Sequence, residues 1–249
     1  MSEIKWVVEH HDRVSSTQDV AKLKARDGAP EGTVVVAEIQ ESGRGRLARH
    51  WLSPSGGLWF SIVLRPGLSI ERVQGIVLLS AVSLARAIRG RTGLDAGIKW
   101  PNDILIGWKK AAGLLLETQI QDGRPVFVIL GAGVNVNNDT AMFPPDLLVP
   151  PTSLKEETGR DIDMESLLNA FLADFAASYD LLQTDFDRIL EDWRHLSVTL
   201  DMQVKVTQMD KVIAGRAVDI DDTGALLVRL PNGNVFTVHA GDLTIEHIS

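Results

Sequence analysis

Cysteine is absent from this 249-residue sequence. Its absence excludes disulfides, cysteine-bound zinc, iron–sulfur clusters and a thiol nucleophile. Histidine is sparse, with six residues, and no pair has the spacing that sets two imidazoles on one helix face. His10 and His11 are merely adjacent, so a structural metal site is not expected. Basic charge is in deficit: 25 Lys and Arg against 33 Asp and Glu give a formal net charge of −8. That balance disfavours non-specific nucleic-acid binding as the main task, while leaving a local basic site open. No uninterrupted apolar run approaches the roughly 18–20 residues that span a bilayer. Met1 to Glu9 shows no basic segment followed by an apolar one, so no signal peptide is expected. The expectation is a cytoplasmic protein with no membrane contact. With 45% hydrophobic and 23% charged residues, the chain is of ordinary globular composition. Its length suits one large domain, or a large one and a small one.

The pattern along the chain predicts a helix over residues 16–26, with Ser16 and Asp19 at capping-box spacing. Thr33–Ile39 and Leu58–Leu64 read as buried strands. Between them, Gln40–Trp51 (QESGRGRLARHW) reads as a loop. Ser69–Arg91 reads as the longest helix. A strand at Ile98–Trp100 follows, then hairpin partners Ile104–Ile106 and Gly113–Ile120 across Gly107–Ala112, then a strand at Pro125–Val136. After prolines 144, 145, 150 and 151, helices are expected over Ile162–Leu182 and on to about Trp193. From Ser197 the pattern becomes short strands: Gln203–Thr207, Lys211–Ile220, Ala225–Arg229, Val235–Val238 and Leu243–Ile248. This order predicts an α+β fold, a mixed sheet with packed helices, followed by a small β-barrel. The boundary is placed at about residue 195, giving units 1–195 and 196–249.

Five segments carry chemistry. Gly43-Arg44-Gly45-Arg46, with Arg49 and Trp51 following, concentrates three guanidinium groups in an acidic chain. Like charges this close repel unless an anion joins them, and arginine binds phosphate and carboxylate bidentately. The same composition also suits a solvated basic loop. In Lys99-Trp100-Pro101-Asn102-Asp103, a strand ends at proline and presents Asn102 and Asp103, where Asp103 could meet Mg²⁺ beside a triphosphate. Pro-Asn-Asp is equally ordinary turn chemistry. Lys109 and Lys110 sit at the expected hairpin tip, polar by default and able to reach an anion. Gly131-Ala-Gly133-Val-Asn135-Val-Asn137 places glycine inside a strand, which marks tight sheet packing or the close approach of a ligand. Ser16-Thr17-Gln18 could bind a small polar group, although a helix cap accounts for Ser16.

Taken together and in this order, GRGR-x-x-R-x-W, KWPND, K-x-x-G and G-x-G-x-N-x-N resemble the biotin protein ligases. The motifs span residues 15–137, and the tail resembles that family's small C-terminal barrel. The resemblance implies a catalytic domain related to class II aminoacyl-tRNA synthetases and an SH3-like C-terminal domain. It implies that ATP and biotin are substrates, with Mg²⁺, and that biotinyl-5′-AMP forms before transfer to a lysine of a biotin carboxyl carrier protein. By the same resemblance, Ser16, Thr17, Gln18, Gln40, Arg44, Gly45, Arg46 and Lys110 bind biotin. Gln18 departs mildly from the asparagine common at its position. Arg49, Asn102, Asp103 and Asn135 fall on the nucleotide side, Asp103 as the metal contact, and Lys110 and Arg46 are catalytic. Trp51 packs within the loop. The motif begins by Ser15, so a DNA-binding domain ahead of it, and specific DNA binding, are not expected. An exposed sheet edge leaves a homodimer open. The alternatives are a lipoate- or octanoate-type ligase of the same superfamily, and a non-catalytic biotin sensor.

Overall fold

A computed structural model describes residues 4–208 and 211–246 of the chain. The first part runs β1 (Val7–Val14), α1 (Thr17–Arg26), β2 (Thr33–Gln40), β3 (Leu58–Leu64), α2 (Ile70–Val73), α3 (Gly75–Thr92), β4 (Gly97–Lys99), β5 (Asp103–Ile106), β6 (Lys109–Gln121) and β7 (Arg124–Val134). Helices α4 (Leu154–Thr158), α5 (Met164–Ser178), α6 (Leu181–Thr184) and α7 (Phe186–Leu196) follow. The chain then forms β8 (Gln203–Gln208), β9 (Lys211–Ile220), β10 (Leu226–Arg229), β11 (Val235–Val238) and β12 (Asp242–Glu246). A seven-stranded sheet has the order β1-β2-β3-β7-β6-β5-β4, and a five-stranded sheet the order β11-β10-β9-β8-β12. Only the β1–β2 pair is parallel in the larger sheet. The second sheet is antiparallel throughout. The result is the mixed α+β architecture that the sequence predicts.

The central strands are apolar on both faces because both faces are covered. Val34, Val36, Phe60 and Ile62 join the large core beneath α3, α5 and α7. Val35, Val63, Phe127 and Ile129 point the other way, onto Ala21 and Ala25 of α1. This is the two-residue period of a strand read in side chains. Buried residues of the second sheet, Val204, Val206, Leu226 and Val228 among them, join the same core. Trp100 fastens the junction, its backbone N–H bonding Thr199 Oγ1 at 2.8 Å and its indole N–H the carbonyl of Gly224 at 3.1 Å.

Several elements differ from expectation. Strand β1 was not foreseen: VVEHHDRV lacks apolar alternation, because an edge strand with mostly exposed side chains needs none. The helix expected over 69–91 divides at Gln74, beside Gly75, whose bare backbone packs on the Phe186 ring. The span Ile70–Thr92 is long and apolar enough to cross a membrane by composition, yet 78% of its most apolar 18-residue window is buried inside the molecule. The stretch 162–182 divides likewise, into α5 and α6. The capping box expected of Ser16 and Asp19 does not form: Ser16 Oγ accepts from Gln18 N–H, and Asp19 turns to Arg44. A capping box does form at Ser153 and Glu156 of α4. The final strand begins at Asp242, and the last two residues of the expected range, 247 and 248, lie outside the described residues.

The β5–β6 hairpin is tighter than expected. Its turn is Gly107–Trp108, with φ of 53° and 67°, the pair of positive values that a type I′ hairpin requires. Lys109 and Lys110 therefore sit in strand β6 and not at a loop tip. Phe171 is fully buried with its ring centroid 5.3 Å from that of Phe60 and 5.9 Å from that of Phe175. Phe171→Ala should lower unfolding free energy by about 3–5 kcal/mol, measured by urea denaturation. A loss below about 1 kcal/mol would mean that the helical layer collapses freely around the gap.

Candidate active site

A cavity of about 390 Å³ is lined by Ser16, Thr17, Gln18, Gln40, Arg44, Gly45, Arg46, Arg49, Trp51, Asn102, Asp103, Lys110 and Asn135. The structure thus gathers these positions into one place, from α1, β2, the arginine loop, β5, β6 and the end of β7, whereas Lys109 turns away to Glu157 and Asn137 to the backbone of Ile162. Its floor is bare backbone. A Cβ on Gly131 would lie 2.4 Å from Gln18 Oε1, and one on Gly133 would lie 2.4 Å from Trp51 Nε1. These contacts explain the two glycines of G-x-G: the Gln18 and Trp51 side chains rest directly on the strand.

One end, over β2 and β3, is polar without net charge. Gln40 Oε1 accepts from the Thr17 backbone N–H at 2.8 Å, and Gln40 Nε2 donates to Ser53 Oγ at 2.8 Å. Thr17 Oγ1 and Ser61 Oγ are 2.8 Å apart, and Ser61 Oγ donates to Gln18 Oε1 at 3.0 Å. Gln18 Nε2 donates to the carbonyl of Ile129 at 3.1 Å. Ser16, Thr17, Gln18 and Ser61 are all buried, so this network is fixed before any ligand arrives.

The other end, over β6, β5 and β4, is cationic. Residues 112 and 114 of β6 join the helix-side core, while Gly113 lies over the cavity. By simple alternation Lys110 would point into that core. A bulge prevents this: Ala112 pairs with Ile104 but Lys110 pairs with Leu105, leaving Ala111 extra. The inserted residue flips Lys110 to the face of Asp103 and Gly113. Past the end of β7, Lys110 N–H bonds Pro150 O at 2.7 Å and Thr152 N–H bonds Lys110 O at 3.0 Å. Lys110 Nζ then lies 2.7 Å from Asp103 Oδ1 and 5.1 Å from the Trp51 ring centroid. Lys99 Nζ is 3.9 Å from Asp103 Oδ2 and buried. Burial holds the Lys99 ammonium below its ordinary pKa, with Asp103 acting against that shift. Burial likewise lowers Arg46, opposed by Asp103 and Asp242, yet a guanidinium stays charged at any working pH. Asn135 is buried where β7 ends, its N–H on the Ala111 carbonyl at 2.8 Å and its Oδ1 accepting from Asn138 Nδ2 at 3.4 Å.

The arginines of the loop do not converge on one point. Arg44 pairs with Asp19 at 2.8 Å and Glu117 at 3.1 Å. Arg46 Nη1 donates to Asn102 Oδ1 at 2.9 Å and Nη2 to the carbonyl of Gly241 at 3.4 Å. Arg49 pairs with Asp242. Separate protein acceptors thus offset the like-charge repulsion within the loop.

Sequence reasoning assigned no role to Ser61, Lys99, Leu147, Leu148, Gly241 and Asp242, all on the cavity wall. Ser61 was legible as the lone polar residue in LWFSIVL, and Lys99 as a cation four before Asp103. Asp242 had no signal, because its partner lies 193 positions away. Ser61→Ala should lower stability by about 1–3 kcal/mol by orphaning the buried Gln18 Oε1. Ser80→Ala, which removes only a hydroxyl bonded back to its own helix at Ile76 O, is the control and should cost much less. Equal costs from chemical denaturation would show that the Ser61 network does not act as a unit.

Comparison with known proteins agrees with this geometry. A profile described as the Biotin/lipoate A/B protein ligase family matches residues 11–135, and one described as the Biotin protein ligase C terminal domain matches residues 199–249. The bifunctional ligase/repressor BirA of Bacillus spizizenii is 36% identical over 238 residues, covering 95% of this chain and 73% of that protein. The biotin–[acetyl-CoA-carboxylase] ligase of Paracoccus denitrificans is 33% identical over 226 residues, covering 89% and 93%. The biotin protein ligase of Aquifex aeolicus in complex with biotin and ATP superposes with a TM-score of 0.81 at 28% identity, over 96% of this chain and 98% of that one. The cavity, the motifs and these likenesses agree: the chain belongs to the biotin protein ligase family.

Proposed function

We propose that this chain activates biotin with ATP and transfers it to a lysine of a biotin carboxyl carrier protein. The observation that carries this reading is the polarity of the cavity: an uncharged hydrogen-bonding end at Thr17, Gln18, Gln40 and Ser61, and a cationic end at Arg46, Lys99 and Lys110. Three strand spacings, about 14 Å, separate β3 from β5. That distance suits an elongated acid with a neutral polar head and an anionic tail.

In the first step an oxygen of biotin's carboxylate attacks the α-phosphorus of ATP. The bond to the bridging oxygen breaks, leaving biotinyl-5′-AMP and pyrophosphate. In the second, the carrier's lysine amine attacks the carbonyl carbon, loses a proton and expels AMP. Neither step calls for an enzyme nucleophile, so a chain without cysteine can perform both. Charge builds on phosphate oxygens, and Lys110 and Arg46 are placed to answer it without reorganisation. Arg44, Gly45 and Arg49 keep the loop over the mixed anhydride and exclude water. Asn102 and Asn135 flank the nucleotide side, and Asp103 holds Lys110 ready.

Mg²⁺ accompanies ATP in this scheme as part of the substrate. Asp103 is already paired with Lys110 and flanked by Lys99, and no cluster of three metal-ligating side chains occurs among the described residues. One or two carboxylates with substrate phosphates suffice for Mg²⁺, so Asp103 would meet the ion of MgATP in competition with the Lys110 and Lys99 ammonium groups. We read residues 1–195 as the catalytic unit, related to class II aminoacyl-tRNA synthetases, and 196–249 as an SH3-like unit. The antiparallel order of five strands supports the second assignment. A second copy pairing along the free edge of β1 would make the homodimer.

The test is transfer of labelled biotin to an acceptor carrier domain in the presence of MgATP, with Lys110→Ala as the control. Wild type should label the carrier, and the variant should form adenylate about 10²–10³-fold more slowly. Normal pyrophosphate release by the variant would remove Lys110 from the chemistry.

A further inference from the structure

We propose that Asp19 and Glu117 form a carboxylate clasp that holds the arginine loop over the cavity through Arg44, which makes Arg44 a positioning residue. The proposal rests on the ligase reading above. Arg44 Nη2 lies 2.8 Å from Asp19 Oδ1 and 3.1 Å from Glu117 Oε1. Lys22 Nζ lies 3.4 Å from the other oxygen of Glu117. The four charges alternate in sign and cancel. Helix α1 supplies Asp19 and Lys22, strand β6 supplies Glu117, and the loop supplies Arg44.

The two anchoring elements are the ones that build the site. Helix α1 begins with the Thr17 and Gln18 network, and β6 carries Lys110. Glu117 lies on the cavity side of β6, in step with Gly113, while residues 114 and 116 pack against the core. One arginine therefore ties the loop to both walls. Asp19 shows what the contact displaces: at capping-box spacing from Ser16 it could have closed its own helix end, and it turns to the loop instead. Glycines flank Arg44, so it is the side chain through which this part of the loop reaches α1 and β6. For Arg44 to bind a ligand anion, it would have to leave two carboxylates. Open surface pairs contribute little singly. Here the side chains of Glu117 and Lys22 are 26% and 34% exposed and those of Arg44 and Asp19 36% and 44%, so the network is half-buried and its four charges act together.

The test compares wild type with Asp19→Asn/Glu117→Gln, Arg44→Gln and the triple variant, all in the full chain. Release of tritiated biotin is followed by chase at low and high salt. The carboxylate pair variant should release biotin about three- to tenfold faster. Arg44→Gln should match it, and the triple variant should be no faster, because all remove one interaction. Added salt should speed release from wild type and leave the variants nearly unchanged. Trypsin cleavage within the loop, measured without ligand, should accelerate in the same variants. Wild-type rates of release and cleavage in Asp19→Asn/Glu117→Gln would overturn the clasp. So would an Arg44→Gln effect far larger than that of the pair variant, which would assign Arg44 to the ligand itself. Wild-type protein that holds no biotin would instead overturn the ligase reading on which the clasp rests.

Discussion

One extra residue in a β-ladder decides the chemistry of this molecule. The bulge at Ala111 reverses the facing of β6, so that Lys110 meets Asp103 and not the helix-side core. Without it, a lysine would be driven into packed aliphatic side chains, at a cost that no partner there could offset. With it, the ammonium lands over glycine backbone, beside Trp51 and across from Asp103. The tight Gly107–Trp108 turn sets the register before the bulge, and the Pro150–Thr152 segment clamps Lys110 from its other side. The cationic end of the cavity is therefore a property of strand register as much as of residue identity.

The rest of the site is arranged around that fixed point. Glycines at 113, 131 and 133 keep the floor low enough for Trp51 and Gln18 to lie on it. The neutral network of Thr17, Gln18, Gln40 and Ser61 is internally bonded, so it presents a set shape to a ligand and does not collapse without one. The arginine loop completes the enclosure by sending each guanidinium to a different element: α1 with β6, the start of β5, and β12. Such dispersal lets an acidic protein hold clustered positive charge near a substrate anion at low electrostatic cost.

Much of this was legible in the sequence. The buried strands at 33–40, 58–64 and 124–134 announce themselves as apolar runs, and the turn residues after 197 mark the second sheet. The motifs, read together, point to positions that the fold gathers into one cavity. What stayed hidden has physical reasons. Strand β1 is an edge and carries no apolar signature. The bulge has none either, since Lys-Lys-Ala-Ala-Gly fits a loop tip as well as a strand. The arginine loop reads equally as an anion site or a solvated basic loop, because the carboxylate partners at 19, 117 and 242 lie far from it in the chain. Long-range pairing of exposed charges leaves no local pattern to read.

On the proposed reading, the neutral polar head site and the cationic tail site of the cavity together select biotin for activation by ATP. The most direct measurement is ATP–pyrophosphate exchange with biotin, lipoate or octanoate as the only acid. Exchange with biotin is expected, with background rates for the other two. Exchange driven by lipoate or octanoate would contradict that reading, and biotin binding without any exchange would reduce the cavity to a sensor.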